Sequence, residues 1–342
     1  MDIACRGTPA HSRTLVVALF RTGPETLEAR GHIVDLRKRG LVPMASNLQT
    51  AGVIHDMRVT ARLRCDPEPR FSAFEVAQPS VAFEPSVATG GECCRDPAKR
   101  LEGLVGTALD EAASGRLGQA YGGPLGCSHV LTLTQLMIST LHTALALDRE
   151  RHAGAPGPAG QRLFHRSLSI DGMLEDDRLQ LAFHQADVHF RPIEVRPDTD
   201  AFDRLAGRHE VRAAAEVEHA DMQLRALRAF ERRAELEDFP GKWLERRDLG
   251  GLAGRSALGG MARVLFETLG EREEDRPLLD VLLNLAPALI QCIPALVDGW
   301  EPSGSSGKPA RTLSGGMPDS CYMWRSEGVL LQRMREREGS DA

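Results

Sequence analysis

Apolar and polar positions alternate with a period of two over residues 13–21, 26–37, 53–65 and 71–83, where β-branched residues also gather, and this predicts four strands. Thr22-Gly-Pro-Glu has the composition of a hairpin turn, and Cys65-Asp-Pro-Glu-Pro separates the last two strands, so the four read as an antiparallel meander. The period then becomes helical. Leu101, Leu104, Val105, Leu109 and Ala112 predict one helix, and Val130, Leu133, Met137, Leu141 and Leu145 predict a second.

The same pattern recurs. Arg13-Thr-Leu-Val-Val is echoed by Arg166-Ser-Leu-Ser-Ile, the block around His32 and Asp35 by that around His184 and Asp187, His55-Asp56-Met-Arg58 by His209-Glu210-Val-Arg212, and Gly103-Leu-Val-Gly106 by Gly251-Leu-Ala-Gly254. The offsets stay nearly constant at 152 (184 − 32), 154 (209 − 55) and 148 (251 − 103). The expected fold class is therefore α+β: a tandem duplication of a module with a four-stranded antiparallel sheet followed by two helices, forming a pseudo-dimer. Residues 12–147 make the first repeat, 148–162 a Gly/Pro/Ala linker, 163–300 a degenerate second repeat, and 301–342 a flexible tether and tail with a docking segment at 319–325. Within the second repeat, residues 201–238 are rich enough in Ala, Arg, Glu and Leu to favour helix, whereas the repeat predicts a strand at His209–Val217; the repeat is preferred.

With 42% hydrophobic and 26% charged residues, each half can bury a core. A net charge of −6 and few aromatics argue against nucleic acid as a partner. The longest N-terminal apolar run, Leu15–Phe20, is short for a signal core, and no stretch reads as a membrane span, so the expected location is cytoplasmic with no membrane partner. Seven scattered cysteines without a Cys-x-x-Cys pair are expected to be free thiols.

Candidate chemistry concentrates in a block that the second half lacks. Gly122-Gly-Pro-Leu-Gly126-Cys127-Ser128-His129 precedes the second apolar stripe, whereas the corresponding stretch, residues 278–283, reads Leu-Leu-Asp-Val-Leu-Leu. Cys127 and Ser128 would sit at a helix N-terminus, where free N–H groups favour a thiolate or a bound anion. A Ser N-cap with Cys127 filling apolar space is the plainer alternative. His55 and Asp56 are neighbours on a strand and face opposite sides, so His55 could meet Cys127 or His129 while Asp56 pairs with Arg58. Gly31-His32-x-x-Asp35 recurs as Phe183-His184-x-x-Asp187, and retention of the His and Asp in both halves favours architecture.

Four blocks together, Gly31-His32-x-x-Asp35, His55-Asp56-Met57, Gly126-Cys127-Ser128-His129 and Ser320-Cys321-x-x-Trp324-Arg325, resemble an uncharacterised bacterial family of unknown function. That resemblance implies no activity. A more distant likeness is to the iron–sulfur scaffold fold, which would need three cysteines in one pocket, with Cys127 and the Cys93-Cys94 pair as candidates.

The expectation is a small-molecule enzyme using acid–base or metal-assisted chemistry, of lyase, isomerase or hydrolase type, on an organic acid, aromatic or acyl thioester. His55, Asp56, Cys127 and His129 are the catalytic candidates, and Arg58, Gly126, Ser128 and His32 the ligand-binding ones. No motif requires a cofactor, and a divalent metal is the alternative. The chain would act as a monomeric pseudo-dimer or a homodimer. The other class of function is a non-enzymatic metal, iron–sulfur or ligand-binding scaffold.

Overall fold

The computed structural model describes residues 5–38, 42–44, 47–49, 52–152, 159–193, 198–200, 202–235, 240–295 and 317–340. Residues 153–158 of the expected linker and all of the expected tether, 301–309, lie outside this set.

The first half contributes β1 (Thr8–Gly23), β2 (Thr26–Arg37), the short strands β3 (Val42–Met44) and β4 (Asn47–Gln49), then β5 (Gly52–Arg64), β6 (Arg70–Ser80), α1 (Ala113–Tyr121) and α2 (Ser128–His152). The second contributes β7 (Arg162–Glu175), β8 (Arg178–Phe190), β9 (Leu205–Glu218), β10 (Leu224–Glu235), β11 (Leu244–Arg246), α3 (Met261–Leu269), α4 (Arg276–Leu282) and α5 (Leu285–Cys292); α6 (Val329–Ser340) follows in the tail.

The fold is α+β. One nine-strand antiparallel sheet, in the order β11-β10-β9-β8-β7-β1-β2-β5-β6, carries six helices among the described residues, and β3 pairs with β4 apart from it. The strand blocks β1-β2-β5-β6 and β7-β8-β9-β10 run in the same order, which is suggestive of a repeat. Their meeting line is symmetric. Leu15 of β1 pairs with Leu168 of β7, and to either side Arg13 pairs with Ile170 and Val17 with Arg166. The central pair is separated by 153 positions (168 − 15), as Arg13 is from Arg166.

Three expectations are corrected. The two halves do not keep separate four-stranded sheets, because the edge of β1 bonds to the edge of β7 along most of its length and so leaves neither unpaired. The apolar stripe at 101–112 is not an α-helix: residues Asp96–Leu104 form tight 3-10 turns, and Gly106 at φ +84° ends them before α1 begins at Ala113. Contrary to the expectation that no stretch is apolar enough, residues 128–150 and 273–295 are long and apolar enough to cross a membrane (mean hydropathy 1.5 and 1.7), and 56% and 72% of their most apolar 18-residue segments are buried within the fold. In the Ala-rich second half, β9 and β10 are strands because hydrogen bonds on both sides outweigh local helix preference.

The helices lie on one face of the sheet. α2 crosses β1, β2 and β5 and reaches β7, while α5 crosses β7 and β8 and reaches β1. Leu15, Val17, Leu19, Ile33, Met57 and Val59 point to this inner face and are buried. Gly31 lets α2 approach closely: a Cβ there would stand 2.5 Å from Met137 Sδ and 3.1 Å from Leu133. The seat of α2 on β2 positions everything at its N-terminus.

Candidate functional site

At one end of the inner face the apolar phase of β1, β2 and β5 is interrupted by ionisable residues. His11 and Arg13 on β1, Asp35 and Arg37 on β2 and His55 on β5 all fall on inner, buried positions. Asp35 is fully buried and stands at the centre. Arg13 grips it with Nε 2.8 Å from Oδ1 and Nη2 3.1 Å from Oδ2, and His11 Nε2 lies 2.8 Å from Oδ1. His55 Nδ1 and His129 Nε2 approach Oδ2 at 3.4 and 3.3 Å without forming an aligned hydrogen bond. The two imidazoles stack, with centroids 3.7 Å apart and planes 31° off parallel.

His129 arrives from the first turn of α2. Leu131 N–H donates to Cys127 C=O at 2.9 Å, so Cys127 is the N-cap and Ser128 the first helical residue. Burial, reinforced by His55, holds the His129 imidazole well below its ordinary value near 6.5, and it is neutral at physiological pH. Burial also lowers His11 against the pull of Asp35. Burial alone would raise the Asp35 carboxyl, but Arg13 beside it, with His11 and His55, keeps it well below the usual carboxylate range. It remains charged.

Cys127 is 4.0 Å from His129 Nδ1 and 3.9 Å from Met57 Sδ. The thiolate expected at this helix terminus does not form near neutral pH. Burial pushes the thiol up to about 12, outweighing the N–H groups of Val130 and His129. Cys94 and Cys321 are raised by burial as well.

His55, Cys127, Ser128 and His129 line one cavity of about 310 Å³, together with Arg13 and Arg37. Its walls are largely apolar, with Ile54, Phe83, Leu131 and Ile290 among them. The tail supplies another wall through Ser320–Trp324. Tyr322 N–H donates to Gly126 C=O at 2.8 Å, Trp324 packs edge-on to Phe83 at 5.9 Å, and Arg325 pairs with Glu92.

Four of the eight site candidates are not in this cavity. Asp56, proposed as catalytic, faces the other side of the sheet because adjacent strand residues alternate. There it takes His32 Nε2 at 2.8 Å and stands 3.5 Å from Arg58 Nη2, so the structure gathers His32, Asp56 and Arg58 on the outer face and not at the cavity. Gly126 packs instead: a Cβ there would lie 2.2 Å from Tyr121 C=O. Asp35, His11, Arg13 and Arg37 were missed. The signal was present in charged residues occupying the apolar phase of otherwise apolar strands.

The metal and cluster expectations divide. Among the described residues, Asp35, His55 and His129 form the single group of three ligating side chains whose donor atoms lie within 4.8 Å of one another. Cys94, Cys127 and Cys321 share the cavity without gathering so closely, and Cys93 bonds to Asp96. All seven cysteines are free.

The second half keeps the arginine–aspartate frame without the stacked pair of imidazoles. Arg166 grips Asp187 through Nε (2.8 Å) and Nη2 (2.7 Å), and its Nη1 meets Asp280 of α4 at 2.5 Å. Ser139 of α2 donates to the same Asp280 oxygen at 2.6 Å. His209, the counterpart of His55, lies 3.3 Å from Glu231 instead.

No curated protein matches the chain. A domain of the family described as a protein of unknown function (DUF2889) covers residues 11–144, the span that holds His11, Arg13, Arg37, His55 and His129 around Asp35.

Proposed function

We propose that the chain is a small-molecule enzyme whose acid–base chemistry is carried by His55 and His129 above Asp35. The observation that supports this most is the stacked imidazole pair, 3.7 Å apart, with His55 Nδ1 and His129 Nε2 buried beside one carboxylate at the cavity and without an aligned hydrogen bond among the described residues. In this reading His55 accepts a proton from the substrate or from a water molecule, and Asp35 offsets the charge that develops on the ring. The His55 imidazolium then returns that proton to the product, while His129, neutral and close to both, orients the reacting group. Cys127, a protonated thiol at the helix terminus, shapes the wall. The two strand blocks descend from one duplicated module, and the second serves as a scaffold in which His209 pairs with Glu231 and Asp280 stands in place of His129. Lyase, isomerase or hydrolase chemistry on an organic acid, aromatic or acyl thioester fits the apolar cavity, and a cytoplasmic setting suits seven free thiols.

Turnover assays across aromatic acids, hydroxy acids and acyl thioesters test the reading. A substrate whose turnover falls at least 100-fold in His55→Ala, with a melting temperature within a few degrees of wild type, supports it. Turnover unchanged in both His55→Ala and His129→Ala ends it.

A second reading rests on the 4.8 Å grouping of Asp35, His55 and His129. Two imidazoles and a carboxylate suit a divalent first-row metal with open positions. Titration with Co²⁺ separates the readings, because d–d absorption lost in His129→Ala indicates a metal centre, and no binding at millimolar Co²⁺ leaves the acid–base site.

A further inference from the structure

The two halves handle the same buried arginine differently. Arg166 has Nε, Nη1 and Nη2 all on carboxylate oxygens, two bonds to Asp187 and one to Asp280. Arg13 grips Asp35 in the same way through Nε and Nη2, but its Nη1 is buried with no hydrogen-bond partner among the described residues. The residue itself is 2% exposed and lines the cavity. At the point of α4 where the second half supplies Asp280, the first half supplies the α2 terminus with His129, a neutral ring.

Arg37 adds a second guanidinium two residues beyond Asp35 on the same face. It is 3% exposed, its Nη2 donates to Gln291 C=O at 3.3 Å, and its Nε has no hydrogen-bond partner among the described residues. Among the described residues no carboxylate lies within ion-pair distance of it. The end of the inner face therefore carries two guanidinium charges against one carboxylate, in a cavity whose other walls are mostly apolar. A buried cation without a counter-charge is strongly unfavourable, and an anion delivered by a ligand relieves it.

We propose that this cavity binds a small organic monocarboxylate, whose carboxylate is held by Arg13 Nη1 and the Arg37 guanidinium and whose apolar body lies against Ile54, Phe83 and Ile290. The Asp280–Arg166 contact is the internal precedent for the geometry. A carboxylate fits the planar donor fork of arginine, and a single negative charge balances the excess, whereas a dianion overshoots it. A volume of about 310 Å³ sits at the small end of ligand pockets. The proposal deepens the enzyme reading by naming the substrate class, since it sets the acid group beside His55 and His129.

Calorimetric titration of the full chain with benzoate, cinnamate and hexanoate, against their primary amides and inorganic phosphate, tests it. At least one acid is expected to bind at least ten-fold more tightly than its amide and than phosphate. Arg37→Gln should remove that preference, weakening the acid ten-fold or more and leaving the amide within two-fold. Equal binding of acid and amide by wild-type protein, tighter binding of phosphate, or no acid binding at millimolar concentration overturns the proposal, and none of these readouts depends on a variant that folds. Turnover separates the two ideas: acid binding by the wild-type protein, with turnover that is absent in every assay or unchanged in both His55→Ala and His129→Ala, sinks the acid–base reading and leaves the carboxylate site standing.

Discussion

The Arg13 guanidinium and the Asp35 carboxylate meet through two parallel contacts, 2.8 and 3.1 Å long, with the side chains 2% and 0% exposed. A bidentate pair this deep is expensive to break, because the partner left behind keeps a charge that water cannot reach. Asp35→Asn preserves shape and removes the charge, so a loss of roughly 3–5 kcal/mol is expected in denaturant unfolding. Asp187→Asn should cost less, because Asp280 still faces Arg166. A loss under about 1 kcal/mol for Asp35→Asn would show that the pair does not hold the inner face together.

Acid should weaken the fold earlier than carboxylate titration alone would. His129 and His11 are both held below their ordinary value near 6.5, so the unfolded chain takes up protons that the folded chain refuses. Their contribution is complete above about pH 6.5 and declines as the pH falls, at up to roughly 1.4 kcal/mol per pH unit for each histidine. Asp35, lowered as well, acts in the same direction, and its contribution is lost only below the usual carboxylate range near 3.8. Urea midpoints measured from pH 8 to pH 5 should fall, and His129→Gln should flatten the slope. A midpoint independent of pH over that interval would contradict the burial of both rings.

The period-two pattern was enough to place the four long strands of the first half, since β1, β2, β5 and β6 follow the alternation of Leu15-Val17-Leu19, Ala29-Ile33 and Met57-Val59-Ala61. The helix beginning at Ser128 and the opposed faces of His55 and Asp56 were also legible, because both depend on local geometry. Fusion of the halves into one sheet was not, since nothing in β1 marks which strand its free edge will meet. The 3-10 turns at Asp96–Leu104 escaped because an apolar spacing of three and four fits either helix type. Asp35 was read as architecture on account of its copy at Asp187. Both carboxylates do hold an arginine, and what differs is the third partner, His129 in one half and Asp280 in the other, which comes from a helix more than 90 residues away in each case.

On the outer face, His32, Asp56 and Arg58 form a half-exposed cluster. Solvent screens such pairs, and Asp56→Asn should cost less than about 1 kcal/mol. It should leave ligand binding and any turnover unchanged, in contrast to His55→Ala one residue away. A loss of turnover in Asp56→Asn as large as that in His55→Ala would return Asp56 to the catalytic set.

Gly31 is the position through which the sheet controls the site from a distance. A methyl group there falls 2.5 Å from Met137 Sδ and 3.1 Å from two atoms of Leu133, so either Met137 turns aside or α2 lifts from β2. Met137 is 1% exposed and packed, which leaves little room for it to turn. Gly31→Ala should therefore cost about 1–3 kcal/mol as overpacking. Lifting α2 also draws His129 from His55, so the imidazole contact at 3.7 Å opens and ligand affinity falls with stability. Met137→Ala alone leaves a cavity and is expected to cost about 2–5 kcal/mol. The new methyl can occupy part of that cavity, so Gly31→Ala with Met137→Ala should be more stable than the sum of the two losses predicts, and the double variant should recover ligand affinity. Strict additivity in both stability and affinity would mean that α2 does not rest on Gly31 in the way that brings His129 to Asp35.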